Sequence, residues 1–149
     1  MWSGKVGTER AVTELLLLRA EDEQDLRILS ACVQDMAVKA GDISWSARHR
    51  QLVLVGNRLR WEAVSEGKPA TRVRSALRFD FISRVQRKEW PDEREMVLPL
   101  MAIEPVDGAL ELIFGGGARL RLEAEVIDIT LEDMSGPWGA ISLPQHDLP

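Results

Sequence analysis

The side chains of this sequence best suited to hold another molecule are arginines. Between residues 45 and 90 there are eleven Lys/Arg against four acids. That surplus of +7 leaves −12 for the remainder of a chain whose net charge is −5. Arg48, His49 and Arg50 stand together. Arg58 and Arg60 are two apart, as are Arg72 and Arg74, and Arg78 keeps the same parity. Side chains two apart on a strand point to the same side. A sheet face rich in guanidinium groups can grip phosphates or carboxylates through paired hydrogen bonds. These eight residues form the candidate binding face. The competing account is that they meet the chain's own acids across the same sheet, where each exposed pair is weak.

Other chemistry finds little support. His49 and His146 lie far apart, and the single cysteine, Cys32, excludes a zinc site built from several thiolates. There is no Gly-x-Ser-x-Gly elbow for a serine nucleophile. Three consecutive glycines, Gly115–Gly117, invite a phosphate-cradle reading. Such a loop needs a following helix and a Lys-Ser/Thr pair. Here "ARLRLEAEV" follows, with strand-like alternation. The glycines therefore read as a hairpin turn that uses positive φ. The acids at 21–25 suit a helix start, and those at 92–95 a solvated loop. No catalytic residue, metal ligand or cofactor is assigned.

The elements that must carry these residues follow from periodicity. Residues 12–20 read as a first strand. Residues 21–36 read as a helix, with Leu26, Leu29, Val33 and Met36 on one stripe, Ile28 and Cys32 beside it, and Asp22 as N-cap. From residue 37 the period falls to two. Residues 37–46 form a strand. "QLVLV" and "RLRWEAV" form a hairpin about Gly56–Asn57, placing Leu59, Trp61 and Ala63 inward and Arg58, Arg60 and Glu62 outward. Residues 71–88 are strand-like with a break at Phe81–Ile82, and residues 96–106 form a strand whose Pro99 suits an edge or bulge. Residues 109–126 form a second hairpin about the glycines. The two hairpins share an Arg-Leu-Arg-apolar-Glu-Ala pattern, read as a weak internal repeat. After Val126 the apolar parity flips, which predicts a bend in the last strand.

The stretches "DLRILSACVQDMAVKAGDISWSARHRQLVLVGNRLRWE", "ALRFDFISRVQRK", "VLPLMAIEP" and "LELIFGGGARLRLEAEVIDITLEDM" resemble the DUF2948 family of small bacterial proteins. Val33-Gln34-Asp35, Gly41-Asp42, Asn57-Arg58 before Trp61-Glu62, and the Phe-Gly-Gly-Gly turn carry the resemblance, which spans about residues 15–137. The family is one of unknown function, so the resemblance implies no substrate, cofactor or catalytic residue.

The expected fold is α+β: a mainly antiparallel, strongly bent or barrel-like sheet from two weakly repeated halves, with one covering helix at about 22–36. A two-sheet β-sandwich is the alternative. Residues 1–11 are expected to be a flexible lead-in, 12–133 one domain, and 134–149 a Pro/Gly-bearing tail docked through Trp138 and Ile141. With one cysteine and no apolar run of membrane-spanning length, the chain reads as cytoplasmic. The first functional expectation is a non-enzymatic module that binds a protein partner through an edge strand or the arginine face. The second is RNA or another polyanion on that face. The third is an enzyme or small-ligand binder of unrecognised type. Exposed edge strands would also permit a homodimer.

Overall fold

The computed structural model describes residues 15–134. The elements are β1 Leu17–Ala20, α1 Glu23–Cys32, β2 Met36–Ser46, β3 Gln51–Leu59, α2 Trp61–Ser65, β4 Arg72–Phe79, β5 Ile82–Lys88, β6 Val97–Val106, β7 Ala109–Phe114, β8 Arg119–Ala124 and β9 Ile129–Asp133. All nine described strands belong to one sheet in the order β1-β9-β4-β3-β2-β6-β7-β8-β5, and each neighbouring pair is antiparallel. The α+β class with sheet dominance holds. The sheet is not closed into a barrel, because β1 and β5 are unjoined ends. Nor is it a sandwich, because one continuous hydrogen-bonded order links all nine strands.

The α1 helix starts where Asp22, extended at φ −148°, accepts a hydrogen bond from the Asp25 N–H. That satisfies one of the unpaired first-turn donors. Leu26, Leu29 and Val33 are buried, whereas Ile28 is exposed. The helix packs on β1 and β6 and covers one part of the inner face. It ends earlier than the apolar stripe suggested. Asp35 turns at φ 67° and its N–H donates to Leu100 O, so Met36 enters β2 instead.

The expected hairpin at Gly56–Asn57 does not exist, and the internal repeat falls with it. β3 runs straight through both residues, pairing Gly56 with Val38 and Asn57 with Ala37. A Cβ at Gly56 would collide with Ala37 O. Glycine is needed there for the close approach of β2, not for a turn. Residues 61–65, expected as the returning strand, form α2. The second hairpin is as read. Gly116 and Gly117 take φ 80° and 88°, and the Phe114 N–H donates to Ala118 O at 2.9 Å.

The break at Phe81 is larger than a bulge. Phe81 takes φ 61°, β4 pairs with β3 and β9, and β5 pairs with β8 at the far end of the sheet. The parity flip near Val126 likewise divides β8 from β9, which pair with different neighbours. Pro99 does not lie on an edge strand. It pairs with Ala37 of β2, one residue beyond Leu100, the last β6 residue paired to β7. The inner face gathers Leu52, Leu54, Leu77, Phe79, Ile129 and Leu131 from one half of the sheet. It continues through Leu100, Leu110, Leu112, Phe114, Leu120 and Leu122 into the other.

Candidate ligand-binding slot

One end of the sheet curls back on its middle. The Ile82 N–H, at the start of β5, donates to Arg50 O at 2.9 Å, just before β3. Arg50 and Glu125 add an ion pair of 2.7 Å at this place. The ladder goes no further: β5 pairs with β8 alone. Beyond β5, the loop 89–96 returns to β2. There the Ala40 N–H donates to Met96 O at 2.9 Å and the Gly41 N–H to Arg94 O at 2.8 Å. The first bond extends the β2–β6 register one step past Lys39–Val97, and Gly41 is free to turn the same way because the pairing of β2 with β3 shifts between Val38 and Ile43.

Between these two closures lies a cavity of about 520 Å³. Ala40, Ile43 and Trp45 of β2, Leu52 of β3, Val85 of β5 and Leu120 of β8 form its apolar walls. Trp90 and Pro91 come from the loop, and the Trp90 ring meets Phe114 edge to face at 5.3 Å. Arg87, Asp92 and Arg94 are its charged residues. Strand alternation puts Val85 and Arg87 on the same side of β5, so the polar group follows directly from the apolar wall.

The eight arginine-face residues are dispersed. Arg48 and His49 are exposed in the β2–β3 turn, where His49 Nδ1 and Ser46 Oγ share a hydrogen bond of 2.9 Å. Arg50 takes φ 54° and pairs with Glu125. Arg60 precedes α2, 3.9 Å from Glu62. Arg72, Arg74 and Arg78 share the outer face of β4, as their parity required. Arg72 donates to Asp35 O and Asn57 O, Arg74 lies 3.7 Å from Asp42, and Arg78 donates to Asp80 at 3.0 Å.

Arg58 corrects the expected outward placement. It is fully buried on the inner face. Its Nε and Nη2 donate to the two carboxylate oxygens of Asp133 at 2.8 Å each, and its Nη1 and Nη2 donate to Glu62 at 2.9 and 2.6 Å. Asp133 also accepts from Ser75 Oγ at 2.7 Å and from the Leu16 N–H at 2.9 Å. Burial disfavours the Arg58 charge. The hydrogen bonds it donates to Asp133 and Glu62 outweigh it and raise the guanidinium pKa above its ordinary value. Burial likewise works against the Asp133 carboxylate, but Arg58 and Ser75 hold it below the usual range. Hydrogen bonding to Arg58 lowers Glu62. Nearby, burial pushes the half-buried Cys32 thiol up. This cluster ties β3, β4, β9 and α2 together.

The DUF2948 model, described as a protein family of unknown function, matches residues 16–146. The chain belongs to that family. The DUF2948 match covers every strand, both tryptophans of the slot and the whole Arg58 cluster. No curated protein and no solved structure matches the chain. Among the described residues, no group of three or more His, Cys, Asp or Glu is placed to hold a metal ion, and no helix is long and apolar enough to cross a membrane.

The slot escaped sequence reading because its walls come from four strands and a loop. The one local signal was Trp90-Pro91, a large apolar residue inside an otherwise charged loop.

Proposed function

We propose that this chain is a small-molecule-binding module, and that the slot between β5 and the β2–β3 pair is its site. The observation that carries this is a half-open cavity, flanked on two sides by backbone hydrogen bonds, in which apolar side chains face three charged ones. Its volume of about 520 Å³ falls in the ordinary range for ligand sites, and apolar and aromatic side chains share its lining with polar surface. The closures favour a compact ligand over an extended peptide, which would have to pass both.

The test is titration with N-phenylnaphthylamine, a neutral aromatic probe, read by its own fluorescence. Wild-type protein should bind it saturably, and Val85→Phe, which fills the slot, should abolish that binding with little change in thermal unfolding. Equal binding by the variant would move the site elsewhere. A protein partner remains a second reading. It is motivated by the outer face of β4, where Arg72, Arg74 and Arg78 stand in a row. A polyanion there would have to displace Asp42 and Asp80.

A further inference from the structure

Resting on that reading, we infer that the slot takes an amphipathic anion: a compact, ring-bearing body carrying one carboxylate or similar monoanionic group, held by Arg87 and Arg94. The argument starts from how this chain disposes of its other arginines. Arg19, Arg50, Arg58, Arg60, Arg74, Arg78, Arg84 and Arg119 each have a carboxylate partner within ion-pair distance, whereas Arg27, Arg48, Arg72 and Arg121 have none among the described residues and do not line the cavity. Among the described residues, Arg87 has none. Arg94 has only the carbonyl of Gly41, at 3.3 Å. Two guanidiniums left without a counter-charge line the same cavity.

Arginine forks are suited to planar oxyanions, and Arg87 and Arg94, both exposed, keep their donors open to one at the cavity. Asp92 shares the lining and makes no ion pair with either arginine among the described residues, so the lining carries a net charge of +1. One negative charge balances it, whereas a di- or triphosphate would face repulsion from Asp92. Trp45 and Trp90 supply aromatic surface for the body of the ligand, and the edge-to-face contact with Phe114 braces Trp90.

The experiment pairs two probes that share an aromatic body, anilinonaphthalene sulfonate and neutral N-phenylnaphthylamine. Both are titrated into the full chain. Wild-type protein should bind the sulfonate about tenfold or more tightly than the neutral probe. The Arg87→Gln/Arg94→Gln double variant should lose about that factor for the sulfonate and keep its affinity for the neutral probe within about twofold. Asp92→Asn should tighten the sulfonate about threefold by removing a like charge. Phenylbutyrate should displace the bound sulfonate, and phenylbutanol at the same concentration should not. If both probes bind equally, or the double variant weakens both alike, the anion inference is overturned while the slot stands as a site. If neither probe binds, the proposed function itself falls.

Discussion

Arg58 and the Arg87/Arg94 pair show the same side chain used in opposite ways. Arg58 is wholly buried, and its guanidinium is filled by two carboxylates and fixed on three sides. Arg87 and Arg94 stand at a cavity, with none of the chain's own carboxylates in contact among the described residues. A saturated guanidinium serves the fold and has little left to offer a ligand. An unsaturated one adds little to the fold and keeps its donors for something else. Charge counting along the sequence treats the two alike. Their difference arises only from what the fold brings beside each one.

The sharpest way to break this contrast is Arg58→Met. Removing one partner of a buried ion network leaves Asp133 without its main counter-charge, and such losses amount to about 3–5 kcal/mol. Urea unfolding should show a loss of that size, and a loss below about 1 kcal/mol would end the contrast. Gly56→Ala comes next. Its Cβ would press on Ala37 O, and overpacking of this kind costs about 1–3 kcal/mol. A thermal midpoint unchanged from wild type would show that β2 gives way freely.

Acid offers a milder probe. Asp133 and Glu62 have folded pKa values below their unfolded ones. Their contribution is therefore fully present above the unfolded carboxylate values, near pH 4, and fades as the pH falls through the lower folded values. Urea midpoints should drop as the pH falls below about 4 in wild type, and less steeply in an Asp133→Asn/Arg58→Met background. A parallel fall in both would place the acid sensitivity elsewhere. The smallest effect belongs to Arg87→Gln. Stability should stay within about 0.5 kcal/mol of wild type, as for surface changes away from packed features. A larger loss by chemical denaturation would make Arg87 a structural residue after all.

Much of the architecture was legible in local patterns. The Asp22 cap and the Leu26–Leu29–Val33 stripe mark α1, and the glycine triplet marks the β7–β8 turn, because caps, periodicity and positive φ are properties of short segments. The Gly56–Asn57 error is instructive because it spread. A turn there reverses the chain, so Leu59 was read inward and Arg58 outward. Kept as one strand, the alternation through Leu52 and Leu54 lands on Gly56 and Arg58, both on the inner side. What local pattern could not supply was the reason for that glycine, which lies in β2, or the acids that make Arg58 tolerable, one of them 75 residues away. The slot was illegible for the same reason: Trp45 and Val85 share it only because β5 returns to the middle of the sheet.

The pairing of β1 with β9 joins Leu17 to Glu132 and Ala20 to Ile129, so the first and last strands of the domain lie side by side. A ribosome delivers β9 long after β1. Until residues 129–133 emerge, β1 has no neighbour, one edge of β4 is bare and Arg58 lacks Asp133. While residues 80–128 are being made, the nascent chain therefore carries Arg58 with Glu62 as its sole counter-charge of the cluster, and an open edge on β4. Completion of the sheet then becomes a single late event, which also switches the arginine from liability to clasp.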